Sequence, residues 1–419
     1  MIRRLQTALC MALVLASFSV WGQGFPTVKP EEVGLSSERL ERITVAMQQH
    51  IDDKELAGVV GLIARRGKIA YFETLGMRDR EAARPMEEDT LFRIYSMTKP
   101  ITSVAVMMLY EEGRFYLGDE VSKYIPALAN LDVMMESTDP ETGEKSFRLK
   151  PSEKDMTVQD LLRHTSGLTY GIFGSTKVDE MYKKAGIADG TVEDMVEKLG
   201  ILPLMHEPGT EWHYSVSTDV LGRLVEVLSG VSFDQFLQER IFKPLGMDDT
   251  AFYIPQEKVD RLAAMYHIDE EKKLQRGDED EAADSKPTFL SGGGGLFSTT
   301  EDYLKFCQMM LNGGELNGVR ILSRKTVELM TRDHMVGIST AVDDVDGQGF
   351  GLGFAVCLDP AQKSAVDSVG TYHWGGAAHT RFWIDPEEEF IGVFMVHIFN
   401  PQRDYQEQFR ILSYQAIDD

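Results

Sequence analysis

The chain has 419 residues, 43% of them hydrophobic and 26% charged, which is typical of a globular protein that can bury a sizeable core. Its formal net charge of −24 at pH 7 argues against nucleic acid as a partner, because nucleic-acid-binding surfaces need an excess of basic residues. We expect the acidic clusters to be solvated surface that keeps the protein soluble.

Residues 1–22 have the pattern of a secretory signal peptide. Arg3 and Arg4 precede a mostly apolar run from Ala8 to Trp21, which is too short to span a bilayer with confidence. We therefore expect removal of residues 1–22, export to a periplasm or out of the cell, and no stable membrane insertion. After this removal two cysteines remain, Cys307 and Cys357, and their apolar surroundings favour buried free thiols over a disulfide.

The region before residue 90 predicts a helix followed by a hairpin. Ser36 opens an amphipathic helix that ends near His50. Strand-like runs over 59–64 and 69–75 are joined by a short turn at 65–67, where a glycine can supply the positive φ.

The region from about 90 to 290 is predicted to be mainly helical. Helices are expected from Ser96 to just before Gly113 and over 158–164, 192–199 and 219–228. Two intervening segments, 130–155 and 269–286, lack a buried periodicity and are predicted to be exposed loops.

The C-terminal region predicts strands. A helix over 303–311 follows a glycine run, 292–295, which no Lys-Ser or Lys-Thr follows, so a phosphate-binding loop is not favoured. Strand-like runs cover 351–357, 379–384 and 390–399, and a closing helix begins near Asp404. Strands at both ends around a helical middle predict an α/β domain from 23–90 and 290–419, with a mainly helical domain, 91–289, inserted between.

Ser96 and Lys99 form a Ser-x-x-Lys pattern ahead of an apolar helical run. Residues three apart lie on one helical face, so the amine of Lys99 can reach the hydroxyl of Ser96. A serine becomes a good nucleophile when a neighbouring group takes its proton, and a helix N-terminus favours the developing negative charge. The pattern alone is weak, because an N-capping serine with a solvated lysine has the same spacing.

Two further stretches strengthen the catalytic interpretation of Ser96. Tyr214 stands just before a helix, where a buried structural tyrosine is the alternative interpretation. The stretch 372–378 carries a glycine pair, Gly375-Gly376, on a predicted strand late in the chain, and small residues there let a backbone edge approach a substrate.

Taken in order, these three stretches resemble the motifs of the serine β-lactamase and penicillin-binding-protein superfamily: Ser-x-x-Lys, Tyr-x-Asn or Ser-x-Asn, and Lys-Thr-Gly or His-Thr-Gly. The stretch 162–168 and the glycine run look like the class C branch. Within that branch, Tyr214-Ser215, Trp374-Gly375-Gly376 and 382–386 look most like the family VIII carboxylesterases. The resemblance spans roughly residues 30–400 and implies an α+β fold in which helices flank an antiparallel sheet built from both termini.

The resemblance implies a role for each matched residue. Ser96 would attack the acyl carbonyl, and Lys99 and Tyr214 would share the proton transfers. A phenolate beside an ammonium is stabilised, so Tyr214 next to Lys99 is a candidate base; which of the two is the principal base stays open. The backbone N–H groups of Ser96 and Gly376 would hold the oxyanion. Residues of the third stretch would bind substrate: His373, Trp374 and Gly375.

The chain departs from the superfamily pattern in two places. Val216 occupies the position of the Asn in Tyr-x-Asn, and His373-Trp374-Gly375 stands where Lys-Thr-Gly would. Both changes remove polar anchors for an anionic amide substrate, whereas an ester with an apolar part needs neither and can pack on Trp374. Arg381 could still supply a cation for a carboxylate, which would allow residual β-lactam turnover; the alternative interpretation is a solvated strand residue.

Other chemistries have less support. The Gly-x-Ser-x-Gly elbow of α/β-hydrolases is not found, and the nine histidines make no metal-binding spacing, so we expect no metal and no cofactor. The sequence therefore favours a serine esterase that cleaves short-chain esters through an acyl-enzyme on Ser96, with a possible side activity on β-lactams. A β-lactamase or D-alanyl-D-alanine carboxypeptidase is the alternative, and a catalytically silent ligand-binding relative ranks last. The partner is then a small ester, and the sequence leaves the oligomeric state open.

Overall fold

The computed structural model describes residues 24–277, 283–338, 342 and 345–419. The predicted signal peptide, 1–22, lies outside these residues. In the described part of the chain, no helix combines the length and the apolar character needed to cross a membrane.

The fold contains helices and strands throughout. The helices are α1 Ser37–Asp52, α2 Thr98–Glu111, α3 Val158–Leu162, α4 Lys177–Ala185, α5 Val192–Leu199, α6 Ser217–Ser229, α7 Phe233–Leu237, α8 Lys243–Leu245, α9 Thr300–Leu311, α10 Arg324–Met330, α11 Pro360–Lys363 and α12 Tyr405–Tyr414. The strands are β1 Gly58–Arg65, β2 Lys68–Asp79, β3 Arg84–Pro85, β4 Phe92–Arg93, β5 Asp132–Thr138, β6 Lys145–Pro151, β7 Tyr266–Ile268, β8 Leu274–Arg276, β9 Phe297–Ser298, β10 Glu315–Leu316, β11 Val319–Arg320, β12 Gln348–Phe350, β13 Ala355–Cys357, β14 Tyr372–Gly375, β15 Arg381–Asp385, β16 Phe390–Met395 and β17 Ile398–Phe399.

An eight-stranded antiparallel sheet joins the two ends of the chain, as predicted. Its strand order is β12-β13-β14-β15-β16-β1-β2-β3, and β1 meets β16 with Val60 opposite Met395. The turn between β1 and β2 places Arg66 and Gly67 at φ +52° and +73°, the positive values that suit a two-residue hairpin turn. The α+β fold with a sheet from both termini is thereby confirmed.

Alternating side chains of this sheet enter two separate cores. Residues such as Val60 and Phe382 face α2 and α9, whereas Ile63 and Trp383 face α1 and α12. This follows from the two-residue period of a strand. It also means that neighbouring residues of β14 face opposite sides of the sheet, which matters for the site.

Several predicted boundaries need correction. The segment 130–155 is mostly exposed, as predicted, although Leu131 and Val133 are buried, and it forms the β5–β6 hairpin rather than a loop. Within 269–286 the chain forms β8, with Leu274 buried, and residues 278–282 lie outside the described residues. The strand predicted over 390–399 is divided, because β17 leaves the main sheet and pairs in parallel with β7. Cys307 and Cys357 are buried free thiols, as predicted.

Candidate active site

Ser96 lies in a 3₁₀ turn, Tyr95–Met97, that runs directly into α2. The residue before it, Tyr95, has a φ of +42°, a left-handed conformation that costs free energy for a residue with a side chain. The surrounding structure holds the turn: the hydroxyl of Tyr303 donates to the carbonyl of Met97 at 2.8 Å, and the N–H of Ile94 donates to the carbonyl of Leu296 at 3.0 Å. The side chain of Ser96 is therefore presented, partly exposed, at the start of a buried helix.

Lys99 is brought to Ser96 as the spacing predicts. It is only 1% exposed, and its Nζ donates to Ser96 Oγ at 3.1 Å and to the carbonyl of Gly293 at 2.7 Å. The alternative of a solvated lysine is therefore excluded. A buried amine at this distance is within reach of the hydroxyl proton.

The glycine run holds Lys99 in place, a role that the sequence analysis missed. The carboxylate of Asp219, on α6, accepts hydrogen bonds from Ser291 Oγ at 2.5 Å and from the N–H of Gly293 at 3.0 Å. A Cβ on Gly293 would lie 2.5 Å from Asp219 Oδ2, so glycine permits this close approach. Burial raises the pKa of the Asp219 carboxyl above its usual value, and the charge of Lys99 opposes the shift. Hydrogen bonds thus connect Asp219 to Ser96 through Gly293 and Lys99.

Tyr214 lies against the same lysine. Lys99 Nζ is 4.5 Å from the centroid of the Tyr214 ring and 5.3 Å from that of Tyr170. The indole Nε1 of Trp374 donates to the hydroxyl oxygen of Tyr214 at 3.4 Å. Ser96, Lys99, Tyr214 and Trp374 therefore form one continuous group, as predicted from three distant stretches.

His164, in the stretch 162–168, contacts Tyr214 and both of its neighbours in the chain. Its carbonyl accepts from the N–H of His213 at 2.8 Å, its Nδ1 lies 3.3 Å from Ser215 Oγ, and its ring centroid is 5.0 Å from that of Tyr214. The backbone is at φ +58°, and burial together with the charge of Lys99 holds the imidazole pKa well below its usual value. A neutral His164 therefore fixes both neighbours of Tyr214. The family resemblance included the stretch 162–168, but the role of His164 in positioning Tyr214 follows only from these contacts.

The oxyanion donor predicted at Gly376 is corrected by the structure. The N–H of Gly376 already donates to the carbonyl of Thr380 at 2.8 Å, closing the turn after β14. The next N–H, that of Ala377, meets no acceptor in the described part of the chain. The glycine at 376 has a steric role instead, since a Cβ there would lie 2.5 Å from the carbonyl oxygen of Ile94.

His373 is also corrected, because it lies on the opposite face of β14 from Trp374. Its Nδ1 is 3.1 Å from Arg381 Nη2 and its Nε2 is 3.1 Å from Lys363 Nζ, on the side of the sheet covered by α12. Burial and these cations hold its pKa well below the usual value. The prediction that His373 lines the substrate site was wrong because side chains alternate along a strand. Arg381 is turned to the same side, so it does not replace the missing cation of Lys-Thr-Gly.

Two further positions singled out in the sequence are Gly375 and Val216. Gly375 ends β14 beside Trp374, and Val216 is 5% exposed at the start of α6. Among the described residues, no group of three His, Cys, Asp or Glu side chains is placed to hold a metal ion.

Comparison with known proteins identifies the family. The family described as beta-lactamase matches residues 43–416. The chain belongs to this family. A solved structure described as "EstCE1, a hydrolase with promiscuous acyltransferase activity" superimposes with a TM-score of 0.76 at 28% identity, covering 90% of this chain and 99% of that one.

Two curated proteins match this beta-lactamase-family chain over most of their length. Protein Rv1367c of Mycobacterium tuberculosis is 35% identical over 349 residues, covering 81% of this chain and 86% of that protein. Esterase EstB of Burkholderia gladioli is 30% identical over 369 residues, covering 82% and 86%. These similarities support the esterase-like branch, and the chain is a member of a serine hydrolase and acyl-transferring family.

Proposed function

We propose that this protein is a carboxylesterase that hydrolyses short-chain esters through an acyl-enzyme on Ser96. The observation that carries the proposal is the hydrogen-bonded group of Ser96 Oγ and Lys99 Nζ against the ring of Tyr214, whose hydroxyl accepts a hydrogen bond from Trp374. The similarity to Esterase EstB and EstCE1 supports an ester as the substrate.

The geometry supports a two-step reaction. Ser96 Oγ attacks the ester carbonyl while its proton passes to the Lys99–Tyr214 pair, and the tetrahedral oxyanion accepts from the N–H groups of Ser96 and Ala377. Collapse breaks the bond to the alcohol oxygen, which takes the proton and leaves. Water then attacks the acyl group, gives its proton to the same pair and releases the acid, and Ser96 regains its hydrogen.

The wall of the cleft favours esters over β-lactams. His373 stands where the superfamily has a lysine, Trp374 presents an indole where it has a hydroxyl, and Val216 presents methyl groups where it has an amide. Since His373 and Arg381 face α12, no cation from β14 or β15 replaces the lysine. An anionic β-lactam would therefore lack its carboxylate partner, and we expect its turnover to be a side activity.

Transfer of the acyl group to an alcohol is a second candidate activity, favoured by the similarity to EstCE1. The partly exposed Ser96 acyl-enzyme would accept an alcohol in place of water. Turnover of p-nitrophenyl butyrate in the presence of 1-butanol, with quantification of butyl butyrate against butyrate, measures the partition between the two acceptors.

The proposed function is tested by Ser96→Ala with p-nitrophenyl butyrate and a chromogenic cephalosporin as paired substrates. We expect wild-type kcat/KM to favour the ester and the variant to lose activity on both, with an unchanged circular dichroism spectrum. Ester turnover that persists in a pure, folded variant would exclude Ser96 as the nucleophile. A wild-type preference for the cephalosporin would make the protein a β-lactamase.

A further inference from the structure

The short loop between Thr169 and Thr176 lies beside the candidate active site and is held at both ends by one carboxylate. Thr169 Oγ1 donates to Asp179 Oδ1 at 2.6 Å, and Thr176 Oγ1 donates to Asp179 Oδ2 at 2.7 Å. Asp179 is 2% exposed. Burial raises the pKa of its carboxyl, but the hydrogen bonds from the two threonines outweigh burial and lower it below its usual value. These two hydrogen bonds therefore join the ends of the loop, and we call them the clamp at Asp179.

Two glycines allow the backbone of this loop to pack closely against α4. Gly171 has a φ of +74°, and a Cβ on it would lie 2.8 Å from Tyr182 Cβ. A Cβ on Gly174 would lie 2.2 Å from Asp179 Oδ2. Glycine at both positions permits this backbone conformation. The tip of the loop is formed by Ile172 and Phe173.

The tip exposes two large apolar side chains next to the catalytic tyrosine. Ile172 is 66% exposed and Phe173 is 68% exposed. The ring of Phe173 lies 5.1 Å from that of Tyr170 and 6.3 Å from that of Tyr214, measured between centroids. From Tyr214 the aromatic surface continues to Trp374 at 5.5 Å. Ring contacts thus connect the exposed loop tip, through Phe173 and Tyr214, to Trp374 beside the reacting groups.

We propose that Ile172 and Phe173 form an apolar entrance subsite that receives the hydrocarbon chain of the ester. A chain that leaves the carbonyl at Ser96 along this surface covers the two exposed side chains and is itself removed from water. The clamp at Asp179 means that the subsite is formed before substrate binds, so little ordering opposes binding. This inference rests on the proposed esterase function and adds that esters with several methylene groups are preferred over acetates.

The test compares p-nitrophenyl acetate, butyrate, hexanoate and octanoate, each below its micellar concentration. In the wild type we expect kcat/KM to rise with chain length by up to about fourfold for each methylene that reaches the subsite. In Phe173→Ser combined with Ile172→Ser we expect this rise to flatten, with an octanoate loss of about tenfold and the smallest loss on acetate. Ile201→Ser is the matched control, because Ile201 is 86% exposed in the turn after α5 and should keep the wild-type profile.

A second substrate series locates the chain in the acyl or the alcohol part of the ester. Acetate esters of ethanol, butanol, hexanol and octanol vary the alcohol alone, and the series whose chain-length dependence the double variant flattens identifies the part bound at Phe173. The subsite is excluded if both series keep their wild-type profiles in the variant, or if all esters lose activity equally. Absence of ester turnover in the wild type, by contrast, would overturn the proposed function itself.

Discussion

At the scale of single residues, the site gives Lys99 and Tyr214 different relations to Ser96. Lys99 Nζ is hydrogen-bonded to Ser96 Oγ, whereas the hydroxyl oxygen of Tyr214 accepts a hydrogen bond from Trp374. Lys99 Nζ also lies 4.5 Å from the centroid of the Tyr214 ring, so we assign the proton transfer to both side chains.

Removing each member of the pair separates their contributions. We expect Lys99→Met, which keeps the buried volume, to lower kcat on p-nitrophenyl butyrate by about 10³-fold or more, because it removes the group in contact with Oγ. Tyr214→Phe should lower kcat by about 10²-fold while the aromatic packing is kept. Steady-state kinetics of the single and double variants measure both effects. Near-normal turnover in Tyr214→Phe would leave Lys99 as the sole base, and additive losses would contradict a coupled pair.

The sequence indicated the chemistry at this scale but not the directions of side chains. The spacing of Ser96 and Lys99 on one helix predicts their contact, since helical periodicity fixes it. His373 and Trp374 are neighbours in sequence, and only the position of β14 in the sheet decides that the indole faces Tyr214 and the imidazole faces α12. Asp219 was not predicted because its role depends on Gly293, 74 residues away.

At the scale of elements, the end of β14 is placed against the turn that carries Ser96. Gly376 follows the strand, and its Cα approaches the backbone of Ile94 so closely that a Cβ would lie 2.5 Å from the carbonyl oxygen and 2.3 Å from Thr380 Oγ1. The neighbouring Gly375 is less confined, with Thr380 O at 3.1 Å from an added Cβ. The distance between the nucleophile and the Ala377 N–H therefore depends on the absence of a side chain at 376.

A methyl group at each glycine tests this contact between elements. We expect Gly376→Ala to push the turn away from β14 and lower kcat/KM by about 10²-fold, since displacements near 1 Å have such effects. It should also lower the free energy of unfolding by about 1–3 kcal/mol through overpacking. Gly375→Ala is the control and should change both quantities much less. Equal effects of the two substitutions on kcat/KM and on urea-induced unfolding would contradict this explanation.

Element boundaries were harder to predict where tertiary pairing overrides local pattern. The exposed hairpin of β5 and β6 has little buried periodicity, because most of its side chains face solvent on both sides, so it was predicted as a loop. The run 390–399 is apolar except at His397, and the pairing of Ile398 with Tyr266 separates β17 from β16. Apolar runs and their order were predictable from sequence, whereas the partner of each strand was not.

At the scale of the whole molecule, the fold buries histidines that carry lowered pKa values. Burial is the largest cause for each of these six: His164, His206, His213, His334, His373 and His379. Unfolding returns them to water and to an ordinary pKa near 6.5, so the unfolded chain binds more protons as the pH falls. The contribution of the neutral histidines to the free energy of unfolding is thus fully present above pH 6.5 and is lost as the pH falls below this value.

His379 allows this decline to be measured at one residue. Burial lowers its pKa from 6.5 to about 4, and its Nε2 accepts a hydrogen bond from the N–H of Gln406 at 3.4 Å, near the start of α12. A shift of this size is worth about 3 kcal/mol of folding free energy, present above pH 6.5 and lost as the pH falls toward 4. His379→Asn removes the titration while tolerating the backbone, which is left-handed at φ +67°.

We therefore expect urea unfolding of the wild type between pH 7.5 and 4.5 to show a steeper loss of stability than that of His379→Asn, by up to about 1.4 kcal/mol per pH unit. Asparagine cannot be protonated in this range, so the stability of the variant relative to that of the wild type should rise as the pH falls. A shallower pH dependence in the variant identifies the buried imidazole as a source of acid sensitivity. Parallel profiles would show that His379 is protonated equally in the folded and unfolded chain, which contradicts its burial against α12.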